Sequence, residues 1–159
     1  MAVILRAPRV NLVFHSEIEV AKFAQVLARN VKNLNNSIVI YLKGDLGAGK
    51  TTIARNFIQT FGFKRVKSPT YSLVESYQNQ TINIHHFDCY RLSDPEELEY
   101  IGIREYSQGN SIQLIEWAEL GKGMIAPADL IIHITGEDNS RTLTLTPQSN
   151  IGGKILGFL

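Results

Sequence analysis

Eight consecutive residues, Gly44-Asp-Leu-Gly-Ala-Gly-Lys-Thr51, and two acids further along the chain, Asp88 and Glu116, have the types and spacing for chemistry at a phosphate ester. The octet satisfies G-x-x-x-x-G-K-[ST] in full. Ordinary residue frequencies produce such a match by chance in roughly one chain of this length in two hundred. Glycine matters there because phosphate oxygens must approach main-chain N–H groups that a Cβ atom would block. The segment Asp45, Leu46, Gly47, Ala48 and Gly49 would wrap the phosphates, and Lys50 would supply a point charge to the β- and γ-phosphates. Thr51 has the hydroxyl expected to ligate magnesium, and Thr52 can reach the α-phosphate side. A glycine-rich turn without a ligand is the plainer alternative.

A site that hydrolyses a nucleotide also needs a carboxylate near the metal and a group to orient water, and both usually stand at the carboxyl ends of core strands. Asp88 follows Ile84-His-His-Phe87, and Glu116 follows Ile112-Gln-Leu-Ile115. Each acid therefore closes an apolar run. The catalytic candidates are Lys50, Glu116 and Asp88; their residue types leave the division of roles between the two acids open, with surface acids capping strand ends as the ordinary reading. ATP with Mg2+ is the expected ligand pair. No N-K-x-D-like segment for reading guanine is present.

The elements that must position these groups are legible from periodicity. Ser16-Glu-Ile-Glu19 has the S-x-x-E capping-box pattern before apolar residues at mostly helical spacing, which predicts a helix from about Ser16 to Asn30. Asn33 to Ser37 forms a turn cluster, and Ile38-Val-Ile-Tyr-Leu42 is a continuous run of the kind found in a central parallel strand buried on both faces. Thr51 to Phe61 reads as a helix ended by Gly62. Tyr71–Tyr77 and Thr81–Phe87 are β-patterned and separated by three residues, predicting an antiparallel hairpin. Asp94-Pro-Glu-Glu-Leu-Glu-Tyr100 has the acidic cap and first-turn proline of a short helix. Ile112–Glu116, Leu130–Ile134 and Arg141–Thr146 are further strand candidates, while the tail from Ile151 to Leu159 carries no interpretable pattern. The fold class is α/β: a three-layer P-loop NTPase with a central mixed, largely parallel sheet and an antiparallel hairpin insertion.

At 159 residues the chain fits one domain, 1–159, able to bury a core without disulfides. Sixteen basic and fifteen acidic side chains nearly cancel, which gives no reason to expect bulk polyanion binding. Cys89 is the single cysteine and has no internal partner, which suits a reducing compartment. After Met1 only the four apolar residues Ala2 to Leu5 precede Arg6, too few for a signal-peptide core, and no run approaches the roughly 20 apolar residues of a membrane span. The expected location is cytoplasmic.

Four segments together resemble the TsaE (YjeE) family: Gly44–Thr52, Ser68-Pro-Thr-Tyr-Ser-Leu-Val74, His86-Phe-Asp-Cys-Tyr-Arg-Leu92, and Glu116-Trp117 followed by Glu119. They stand in the family's order and cover most of the chain from Ile38 to Glu119. The resemblance implies a bacterial ATPase that works with TsaD-like and TsaB-like proteins to make threonylcarbamoyladenosine at position 37 of tRNA, touching tRNA only through that complex. It makes Ser68-Pro-Thr70 a switch-like loop near the γ-phosphate and places Asp88 near magnesium. Glu116 becomes a second magnesium contact or the residue aligning water, and Trp117 lies beside the site. From Gly121 onward the resemblance offers no motif.

Other residues have two readings each. His85 and His86 are adjacent, so in a strand they face opposite ways and cannot chelate one metal together; one packed and one partly exposed imidazole is expected. Arg91 is either an internal arginine finger or a partner of Asp94 or Glu97. Lys64-Arg-Val-Lys67 is a solvated loop or a small footprint for RNA or an acidic partner. Two rival functions share the loop: a small-molecule or nucleotide kinase, which would need an arginine-bearing lid, and a non-catalytic ATP-dependent binding module.

Overall fold

The computed structural model describes residues 8–159, so the N-terminal apolar stretch considered above lies, from Met1 to Ala7, outside the described residues. Strand β1 is Val10–Phe14, helix α1 Glu17–Leu34, strand β2 Ile38–Lys43 and helix α2 Lys50–Thr60. The hairpin follows as β3 Val74–Gln78 and β4 Asn83–Asp88, then the four-residue helix α3 Glu97–Tyr100. Strand β5 Ser111–Glu116, strands β6 Leu130–Thr135 and β7 Arg141–Pro147, and helix α4 Asn150–Gly157 complete the chain.

All seven strands form one sheet in the order β1-β7-β6-β2-β5-β4-β3. Its centre is parallel: β2 pairs with both β5 and β6, and β4 pairs with β5. The flanks are antiparallel, β3 against β4 on one side and β7 between β6 and β1 on the other. The parallel arrangement brings the ends of β2, β4 and β5 to the same edge, where ligands gather in sheets of this type. The predicted hairpin is present, and its second strand is part of the parallel core.

One face of the sheet is covered by α1, α2 and α4, whose Leu27, Ala28, Ile53, Phe57 and Ile155 pack on Ile40, Leu114 and Ile132. The opposite layer is thin: α3 and short 3-10 turns bring Leu98, Ile103 and Ala118 against Phe87 and Ile115. This asymmetry corrects the reading of β2. Its residues alternate buried and half-buried, whereas β5 is buried along its whole length.

Local capping explains the helix limits. Ser16 accepts the Glu19 N–H at 3.2 Å while the Glu19 carboxylate accepts the His15 N–H at 2.7 Å, a reciprocal cap that starts α1. The helix runs past Asn30 to Leu34 and stops where Asn35 takes a left-handed conformation (φ 51°). Tyr71 to Leu73 are turn rather than strand, because Leu73 is itself left-handed at φ 70°. Asp94 begins a turn in which its carboxylate accepts the Glu96 N–H, so regular helix is delayed to Glu97. Two elements had no counterpart in the sequence reading, β1 and α4.

Candidate phosphate and metal site

The loop between β2 and α2 is shaped by backbone conformations that favour glycine. Gly47 and Gly49 have φ of 79° and 113°, and a Cβ built on either would meet no protein atom within 4 Å. Packing does not demand glycine at these two positions; the left-handed backbone does. Gly49 is the N-cap of α2 and supplies no side chain to the first turn, which holds no acid either. The leading N–H groups and the positive end of the helix are thus directed at the loop's concavity, an arrangement suited to an anion.

Lys50 is only 5% exposed, and its ammonium donates to the carbonyls of Gly44 and Asp45. It also sits 4.7 Å from the centroid of the Trp117 ring, a cation–π distance. Burial pushes its pKa below the ordinary lysine value, while the surrounding carboxylates, Glu116 foremost, oppose that shift.

Thr51 stands on the first turn of α2 and meets β5 across the site: its hydroxyl donates to Glu116, 3.1 Å from Oε1 and 3.4 Å from Oε2. Glu116 is buried, and a second neighbour, His86 on β4, holds its Oε1 through Nε2 at 2.9 Å. Asp88 is the direct register partner of Glu116 across the β4–β5 pair. One of its oxygens accepts the Tyr90 N–H at 3.0 Å. Burial pushes the Asp88 carboxyl up, and the Glu116 charge adds to that; the Tyr90 hydrogen bond, His86 and Lys50 pull it down without cancelling the rise.

These groups line one cavity of about 410 Å³ that also includes Leu46, Thr70 and Arg91. The Ser68-Pro-Thr70 segment reaches the cavity through Thr70, whose hydroxyl is 2.7 Å from that of Ser68. Arg91 stacks on Tyr71, 4.4 Å from its ring centroid, and forms no ion pair with Asp94 or Glu97 among the described residues. His86 is fully buried and His85 half-buried, with His85 bonded to Ser76. Lys64, Arg65 and Lys67 are exposed. Cys89 is buried, and that burial pushes its thiol up to about 12, the opposite of the shift that activates a cysteine.

A second cavity of about 400 Å³ shares Gly47, Gly49 and Thr52 with the loop and extends to His15, Ser16, Glu17, Asp138, Asn139 and Arg141. Sequence reasoning assigned Ser16 to a helix cap only and gave no sign that it or Asp138 lies beside the loop. Arg141 also donates from Nε to the Ala48 carbonyl at 3.1 Å, bracing the loop from β7. Their separation along the chain leaves no motif by which they could be found.

A divalent cation at Thr51 would meet hard oxygen donors only, from one hydroxyl and two carboxylates, the chemistry magnesium prefers. No three His, Cys, Asp or Glu side chains are grouped so as to hold a metal ion by themselves among the described residues, so such an ion would take part of its shell from phosphate and water.

Comparison with known proteins finds relatives over most of the chain. The family model described as threonylcarbamoyl adenosine biosynthesis protein TsaE matches residues 14–143. A Haemophilus influenzae protein named tRNA threonylcarbamoyladenosine biosynthesis protein TsaE is 48% identical over 136 residues, covering 85% of each chain. A Bacillus subtilis protein of the same name is 38% identical over 114 residues, covering 70% of this chain and 71% of that one. Among solved structures, Bacillus subtilis YdiB superposes with a TM-score of 0.77 at 26% identity, covering 94% of this chain and 93% of the other. On these matches the chain belongs to the TsaE family of threonylcarbamoyladenosine biosynthesis proteins.

Proposed function

We propose that the chain binds ATP with Mg2+ and hydrolyses the ATP as part of threonylcarbamoyladenosine synthesis at position 37 of tRNA, in the cytoplasm, alongside TsaD-like and TsaB-like proteins. The observation that carries this reading is the gathering of Lys50, Thr51, Asp88 and Glu116 around one cavity beside the loop. In it, the triphosphate lies over the N-terminus of α2, with the γ-phosphate toward Asp88 and Glu116. The nucleoside end occupies the neighbouring cavity beyond Thr52, between His15 and Arg141.

Magnesium, held by Thr51 and Glu116 with Asp88 close by, would neutralise charge on the β- and γ-phosphate oxygens. Lys50 exchanges its loop carbonyls for phosphate oxygens and keeps the triphosphate extended. Either Glu116 or Asp88 orients the attacking water from the strand ends, and no covalent intermediate is required. Tyr71, Tyr90 and Arg91 lie at the open side of the site with exposed side chains, so a docked partner could complete it and set the rate.

The deciding experiment measures ATP hydrolysis by the purified chain with and without TsaD-like and TsaB-like proteins, together with their capture by the chain in the presence of ATP and magnesium. Nucleotide-dependent capture with stimulated hydrolysis is the expected result. Hydrolysis absent under every condition would overturn the catalytic reading.

A further inference from the structure

We infer that His86 is a positioning residue that fixes the orientation of the Glu116 carboxylate, an assignment that rests on the ATPase reading above. His86 is fully buried, and its Nε2 lies 2.9 Å from Glu116 Oε1. Glu116 is itself 3% exposed, so water does not compete for that contact. A carboxylate offers only acceptors, so Nε2 must carry the proton and donate it. That leaves Nδ1, which is buried and has no hydrogen-bond partner.

A buried imidazole with one nitrogen unpaired is a poor way to fill a core position that an apolar side chain could occupy. Its single bond goes to the acid that also meets Thr51. The consequence for Glu116 is asymmetric: Oε1 accepts from His86 and Thr51, while Oε2 has only the longer 3.4 Å contact from Thr51. Oε2 is therefore the oxygen with acceptor capacity left for the metal and its water. Supporting groups of this kind commonly matter as much for orientation as the ligands they hold.

The test compares His86→Leu, which removes the donor, with His86→Gln, which places an amide N–H at about the reach of Nε2. For His86→Leu, kcat should fall about 10- to 100-fold with a parallel rise in the magnesium concentration needed for half-maximal rate. Binding of ADP without magnesium, followed by calorimetry, should stay within about twofold, because the phosphate loop is untouched. His86→Gln should recover most of kcat. If His86→Leu does not fold, His86→Asn replaces it, since its amide stops short of Glu116 and should lose what Gln retains. Wild-type kcat and magnesium dependence in the Leu or Asn variant would overturn the assignment, as would equal losses in Gln and Leu. Wild-type chain that hydrolyses no ATP, alone or with partners, would instead remove the ATPase reading and this inference with it.

Discussion

The Thr51 hydroxyl lies 3.1 Å from Glu116 Oε1, although the first belongs to the helix after the glycine-rich loop and the second ends a strand on another part of the chain. The contact joins the group expected to ligate magnesium to the acid best placed beside it. Glu116→Gln preserves shape and one acceptor oxygen but removes the charge. Turnover should drop about 100-fold or more, while affinity for ATP without magnesium, set by the phosphate loop, changes little. Steady-state rates and calorimetry on the same preparation separate the effects; retained turnover would favour a binding module in which hydrolysis is incidental.

The only tryptophan, Trp117, has the Lys50 ammonium 4.7 Å from its ring. Drawing that ammonium toward phosphate changes the field at the indole. Intrinsic fluorescence should therefore shift on titration with ATP and magnesium, without any attached label. In Lys50→Ala the change should vanish along with at least about tenfold in affinity, since a charge-assisted phosphate contact is lost. An unaltered emission in the wild type, with binding proven by calorimetry, would place the triphosphate elsewhere.

Much of this site was legible because its parts fall at strand ends and in one contiguous motif. Ile38–Leu42 and Ile112–Glu116 announce themselves as strands through β-branched runs, and the glycine-rich octet lies between the first of them and its helix. Period-two alternation separates His85 from His86, yet it does not say which one turns toward an acid on a neighbouring strand. Strand β1 was missed because Val10–Phe14 is an edge strand with alternate residues exposed, and α4 because Gly152 and Gly153 lower helix propensity. The lining contributed by His15 and Arg141 depends on β1 and β7 pairing at the far edge, a long-range contact with no local signature.

Asp88 illustrates a conflict between stability and activity. Its carboxyl is raised chiefly by burial, so the ionised form costs the folded state at neutral pH. The folded chain binds this proton more tightly than the unfolded chain. Its contribution to stability is therefore greatest below the ordinary aspartate pKa and is lost as pH rises through the elevated one. Asp88→Asn should raise Tm by roughly 2–4 °C at neutral pH. The same variant should lose most ATP turnover. A lower Tm in calorimetric scans would mean that the ionised carboxylate is held favourably.

His85 gives the opposite pH signature. Burial pushes its pKa down, with its ring in a T-shaped contact with Tyr106 and Nδ1 bonded to Ser76. Above the ordinary imidazole pKa of about 6.5 neither folded nor unfolded chain is protonated there, and the residue is neutral in its effect. Below it the unfolded chain takes up a proton first. Stability contributed by the neutral ring is then lost progressively until the depressed folded pKa is reached. Urea midpoints between about pH 5 and 7 should fall more steeply for the wild type than for His85→Gln. Parallel curves would show that His85 titrates alike in both states.

Two glycines of α4 provide an internally controlled test of how the helix seats on the sheet. A Cβ on Gly152 would lie 1.9 Å from the Asp129 carbonyl oxygen, whereas one on Gly157 would meet nothing within 4 Å. Asp129 cannot retreat, because its side chain accepts the Val39 N–H at 2.8 Å and the Ser149 hydroxyl at 2.7 Å, and its carbonyl accepts the Gln148 N–H. Gly152→Ala must therefore lift α4 from Leu130 and β7, and should cost about 2–4 kcal/mol in chemical denaturation. Gly157→Ala changes helix propensity and chain entropy alone and should be neutral or stabilise by up to about 1 kcal/mol. Because α4 lies away from Lys50 and Glu116, nucleotide affinity measured below the unfolding transition should be the same in both variants. Equal stabilities for the two would mean that the Asp129 turn is free to move.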